Sequence, residues 1–193
     1  ASLFVLPYRA APAAATLLAL AATQAPDDPD AADPAARPGR IVHEVRHGEL
    51  AHFGQVPYGR YYGSVDATPL FLVLLGAYTE QTGQAALARR LEPHARAAVG
   101  WMLDHGGLAT SGYLLHRADE GGHAHHHWKD SPGALCRADG SRPVGAVTSA
   151  GAVLRAAKTE KSGFGVLHRS MRKSNALIKA VIDAVRRREG CDT

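Results

Sequence analysis

Four short stretches hold the side chains that could do chemistry. "HEVRH", residues 43–47, fits the H-E-x-x-H pattern of zinc hydrolases. In that pattern two histidines one helical turn apart bind the metal, and the glutamate between them activates water. It requires a well-formed helix, and this copy lies between Pro38-Gly39 and Gly48. His52 also falls one residue short of the third histidine in the extended motif. A zinc-dependent hydrolase through His43, Glu44 and His47 is carried as an alternative.

"HAHHH", residues 123–127, offers neutral imidazoles, which are common metal ligands. Adjacent histidines converge poorly on one ion, so a polar loop is the simpler reading, and no metal is expected. In "WKDS", residues 128–131, Trp128 offers an apolar face to a sugar, while Lys129 and Asp130 can bind hydroxyls. A surface Lys-Asp pair beside a half-buried Trp explains the same residues without a ligand.

The fourth stretch is "GRYYGSVDATPLF", residues 59–71, with one carboxylate, Asp66. The positive end of a following helix dipole favours an ionised carboxylate, as in an ordinary helix-start acid. A general acid needs the opposite influence, from desolvation or a neighbouring carboxylate. Tyr58, Tyr61 and Tyr62 could supply the first, and Glu44 or Glu49 the second.

Helices must position these groups. Thr68-Pro69 reads as a helix start, with Thr68 as cap and Pro69 at the first helical position. That helix runs through "LFLVLLGAYTEQT" and stops at Gly83. An earlier helix is expected over residues 11–23, with Pro12 in its first turn. A short one is expected over about 85–90, and another from Glu92-Pro93 to the Gly106-Gly107 pair. In the last, Ala95, Val99, Met102 and Leu103 recur at helical spacing.

Residues 41–63, with four glycines and four aromatics, read as an irregular loop with short helical turns. "GYLLH" is a possible strand, helix is expected again over 146–158, and an amphipathic basic helix over 166–188. There is no internal repeat. The pattern is all-α, built of helical hairpins joined by long loops, and loops of that length are usually functional.

Composition agrees. The apolar share of 46% rests on alanine and leucine while aromatics reach only 6%, a balance that favours helices over a β-sandwich. Cys136 and Cys191 are too few for a disulfide framework, which points to a reducing, cytoplasmic setting. The formal charge of +4 is local. Residues 158–193 hold nine Lys/Arg and four Asp/Glu, a net of +5, whereas the first 157 residues net −1. A neutral main body argues against nucleic acid as the partner.

The chain opens at Ala1 rather than Met, as a processed or incomplete product would. Its first 25 residues share small residues and an apolar run with signal peptides, but Pro7 and Pro12 interrupt them. No apolar run reaches membrane-spanning length, so no membrane partner is expected.

Taken together, "PGRIVHEVRHGEL", "VPYGRYYGSVDATPLF", "TGQAALARRLEPHARAAVGWM" and "WKDSPGALCRADG" are a recognisable series. In this order the chain resembles bacterial amylo-α-1,6-glucosidase-like proteins, the glycogen-debranching type of glycoside hydrolase. The resemblance covers roughly residues 1–157. It implies part of an (α/α)6 toroid, in which helical hairpins form a ring and the loops at one end make a sugar pocket. It implies hydrolysis of α-1,6-linked or other α-linked glucose in an α-glucan or oligosaccharide, by acid/base catalysis and without a cofactor.

On that resemblance Asp66 is the general acid. Tyr61, Tyr62, Trp128, Lys129 and Asp130 line the pocket, and "HEVR" becomes a loop motif in which Glu44 and Arg46 shape the site. His47 then completes the zinc pattern by accident. The chain departs from the family in three places. "HAHHH" replaces an amide- and glycine-containing segment before Trp128. The second catalytic carboxylate has no counterpart, and the basic segment 158–193 has no resemblance to the family. These departures imply an incomplete or frame-disturbed relative, or a non-catalytic carbohydrate-binding remnant.

Overall fold

A computed structural model describes residues 1–27, 35–55, 59–111, 114–117 and 146–147. The described residues form seven helices and four two-residue strands, so this part of the chain is mostly helical. The order is α1 (Ser2–Val5), α2 (Ala11–Ala22), β1 (Glu44–Val45), α3 (Glu49–His52) and β2 (Arg60–Tyr61). There follow α4 (Ala67–Thr82), α5 (Ala85–Arg90), α6 (Glu92–Asp104), α7 (Leu108–Ser111), β3 (His116–Arg117) and β4 (Ala146–Val147). None of the described helices is long and apolar enough to cross a membrane.

Helix α4 is the centre of the fold. Its residues from Phe71 to Tyr78 are all buried, and a helix apolar on every side must be enclosed by neighbours. Here α1, α2, α5 and α6 supply them. On α2 the buried residues Ala13, Leu17 and Ala21 lie four apart, in one stripe along the helix. On α6 the buried residues are Ala98, Val99, Trp101 and Met102. Phe71, Leu74, Leu75, Leu17, Val99 and Met102 belong to one apolar cluster, which Ile41, Val65 and Leu114 join from the loops.

Two helix ends follow from backbone chemistry. Pro12 sits in the first turn of α2, where its missing N–H costs no hydrogen bond. At the other end of α4, Gly83 takes a left-handed conformation with φ +68°, and its N–H caps the Thr79 carbonyl. The chain reverses there into α5. Tyr78 ties the corner by donating to Gln84 Oε1 at 3.2 Å. Leu91, buried, then separates α5 from α6.

The connection between α2 and α4 carries a smaller apolar cluster of Ala25, Ala35, Ala36, Val42 and Tyr62. Gly39 docks this connection onto α6. It has φ +78°, and a side chain there would collide with the Ala97 carbonyl. Gln24 closes the same junction by donating to Gly39 O at 2.8 Å and to His94 O at 3.0 Å.

Several sequence expectations shift. The described part of residues 41–63 holds a strand pair that was not expected: β1 and β2 pair antiparallel, with Glu44 opposite Tyr61 and Val45 opposite Arg60. A single helical turn, α3, lies between them. Helix α4 starts at Ala67, one residue before the expected cap. Thr68 is fully buried inside the first turn, where its Oγ1 accepts the Ile41 N–H at 3.1 Å. A tertiary partner claimed the hydroxyl that local sequence had assigned to capping.

Among the described residues of the strand expected at "GYLLH", only His116 is strand, at the start of β3, His116–Arg117. Its antiparallel partner is Ala146–Val147, the beginning of the segment expected to be helical. The rest of that segment and the amphipathic stretch 166–188 lie outside the described residues.

Candidate active site

Strand β2 leads through Tyr62, Gly63, Ser64 and Val65 directly into Asp66, at the start of α4. Asp66 occupies the N-cap position, yet its side chain makes no capping bond to the helix. Its backbone is also in the right-handed helical region, at φ −91° and ψ −23°, whereas a capping residue is usually extended. The carboxylate is engaged on the other side, where Ser64 Oγ donates to Asp66 Oδ1. Asp66 therefore does not cap α4 through its side chain. It is half-buried, so one side remains reachable from solvent.

Behind Asp66 stands a buried cation that the sequence did not advertise. Arg40 is 9% exposed and donates to the Ala35 carbonyl at 3.0 Å and to the Ser64 carbonyl at 3.3 Å. Its guanidinium lies over the Trp101 ring, 4.8 Å from the centroid. A buried charge is costly unless hydrogen-bonded, and a desolvated cation on an aromatic face recovers about 2 kcal/mol. The sequence reading singled out none of Arg40, Ser64 and Trp101. The Ser-x-Asp spacing and a lone arginine between Gly39 and the apolar Ile41-Val42 were the signals available.

The ribbon assembles the next group. Glu44 and Arg46 form an ion pair, with Arg46 Nε 2.7 Å from Glu44 Oε1, both side chains partly exposed. Tyr61 faces Glu44 across the strands and accepts the His43 N–H on its carbonyl at 2.8 Å. The His43 and Tyr61 rings meet edge to face, their centroids 5.9 Å apart. Gly63 leaves room for the Tyr61 ring, which a side chain at position 63 would strike.

Glu44 and Tyr61 are thus strand partners, Arg46 follows directly after β1, and Tyr61 is itself buried, at 9% exposure. Tyr62 behaves differently. It is 4% exposed, packs in the smaller apolar cluster and donates to the Thr23 carbonyl at 2.8 Å. That uses both its ring and its hydroxyl inside the fold, where the resemblance had implied pocket lining.

The zinc pattern does not lie on the helix it requires. Glu44 and Val45 are strand, not helix. No group of three or more His, Cys, Asp or Glu placed to hold a metal ion occurs among the described residues. Trp128, Lys129, Asp130, Tyr58 and the histidines of "HAHHH" lie outside the described residues.

No family model matches the chain, and no curated protein matches it.

Proposed function

We propose that this chain is part of a glycoside hydrolase domain of the glycogen-debranching type, a type that acts on α-1,6-linked or other α-linked glucose. The observation that carries the reading is Asp66. A carboxylate at a helix start that makes no bond to the helix, but is oriented by a serine two residues earlier, is arranged for something other than capping. The ordered motifs of the sequence resemblance and the mostly helical fold support it.

In this reading Asp66 gives its proton to the glycosidic oxygen as the bond from the anomeric carbon breaks. The water that bonds to that carbon must give its proton to a second carboxylate, and the resemblance assigns no residue of this chain to that role. An inverting hydrolase keeps the two carboxyl groups about 6.5–9.5 Å apart to admit that water. Glu44 and Arg46, held as an ion pair on the ribbon, bind hydroxyls of the sugar beside Tyr61. The sequence resemblance assigns Trp128, Lys129 and Asp130 to the same pocket. The helices belong to part of an (α/α)6 toroid spanning residues 1–157, working in the cytoplasm without a cofactor. Residues 158–193, with a net charge of +5, lie outside the resemblance.

The test is glucose release from a branched α-glucan, followed by a coupled glucose assay. Asp66→Asn is expected to lower the rate by about 10²–10⁴-fold, the usual contribution of general acid catalysis. Undiminished activity in Asp66→Asn removes Asp66 from the mechanism. Binding of the glucan without any glucose release by the unaltered chain identifies a carbohydrate-binding remnant instead.

A further inference from the structure

The chain touches the Asp66 turn from one short segment, residues 40 and 41, on both sides of the carboxylate. Before Asp66, the Arg40 guanidinium donates to the Ser64 carbonyl, and the Ser64 hydroxyl donates to Asp66 Oδ1. After Asp66, the Ile41 N–H donates to Thr68 Oγ1 in the first turn of α4. The segment is itself anchored: Ala25 N–H donates to the Arg40 carbonyl at 2.9 Å, and Arg40 N–H donates to the Arg37 carbonyl at 3.0 Å. Arg40 and Ser64 are both buried, at 9% and 3% exposure, so water competes little for these bonds.

We propose that Arg40 is a positioning residue for Asp66, acting through Ser64 to hold the carboxylate in one rotamer. The carbonyl bond from Arg40 fixes the Ser64 backbone, and that backbone aims the hydroxyl at Oδ1. The planar guanidinium serves the Ala35 and Ser64 carbonyls at once while stacking on Trp101. A lysine, with a compact ammonium, cannot reproduce that fork. The catalytic meaning of this arrangement rests on the function proposed for Asp66, but the positioning itself does not.

The experiment reads the rotamer directly. In the isotopically labelled full chain, the Hα–Hβ scalar couplings of Asp66 report whether one rotamer dominates. The unaltered chain is expected to show the unequal coupling pair of a single rotamer. Ser64→Ala and Arg40→Met are expected to lose it and show averaged couplings, while Ser64→Thr, which keeps the hydroxyl, retains it. If the amide spectrum shows Arg40→Met to be unfolded, Arg40→Lys replaces it, with the same averaging expected.

Averaged couplings in the unaltered chain, or a single rotamer persisting in Ser64→Ala, overturn the proposal. So does a single rotamer persisting in the folded arginine variant. Glucose release by Asp66→Asn is a separate readout. Unchanged activity there, with the couplings behaving as expected, refutes the catalytic role and leaves the positioning standing.

Discussion

Gly39→Ala is the sharpest test of how the connection carrying Arg40 meets α6. Two costs add at this position. The φ of +78° is left-handed, which disfavours an L-residue with a Cβ by about 1–2 kcal/mol. The new Cβ would also fall onto the Ala97 carbonyl group, 2.6 Å from its carbon. The obstacle is helix backbone, so it cannot rotate away, and overpacking of this kind costs about 1–3 kcal/mol. Reduced freedom of the unfolded chain returns about 0.4–1 kcal/mol. The net expectation is a loss of about 2–4 kcal/mol, a large part of the 5–15 kcal/mol typical of a domain.

Gly83→Ala is the matched control. Its φ of +68° is similar, but nothing lies within 4 Å of the added Cβ. Only the conformational cost remains, about 1 kcal/mol or less after the unfolded-state term. Urea unfolding followed by far-ultraviolet circular dichroism measures both, with a lower midpoint and an unchanged slope expected. If Gly39→Ala is no more destabilised than Gly83→Ala, the connection does not dock on Ala97, and the placement of Arg40 fails with it.

Two further substitutions probe the same junctions. Thr68→Val keeps the shape of a fully buried residue but leaves the Ile41 N–H without its acceptor, so a loss of about 1–3 kcal/mol is expected in urea unfolding. Thr68→Ser, which keeps the hydroxyl, should retain most of that difference. Tyr62→Phe removes the bond to the Thr23 carbonyl and is expected to cost about 1 kcal/mol of stability. By calorimetry it should leave glucan affinity unchanged; a large loss of affinity would return Tyr62 to the pocket.

The three longer helices were legible because their signals are local. Pro12 opens α2, Gly83 closes α4, and Ala95, Val99, Met102 and Leu103 mark the inner side of α6, where all four pack in or against the core. The errors have a common cause. Thr68 looked like a cap until the Ile41 N–H, 27 residues earlier in the chain, took its oxygen. Ala146 and Val147 suit a helix, but pairing with His116 and Arg117 makes them strand. "HEVRH" satisfied a helical pattern on residues that pair with β2.

Asp66 divides the two kinds of information most clearly. Its place at the start of an apolar helix can be read from the order of residue types, since helix initiation depends on neighbours within a few positions. What its carboxylate does there cannot be read that way. Capping the helix and accepting from Ser64 are both open to an aspartate at this point in the chain. The choice between them depends on where Arg40 holds the Ser64 backbone, 24 residues away in sequence. Arg40 in turn owes its position to Gly39 passing close to the backbone of α6 and to the ring of Trp101. These are long-range contacts made only when α4 and α6 pack together, which is why the tertiary structure alone decided them.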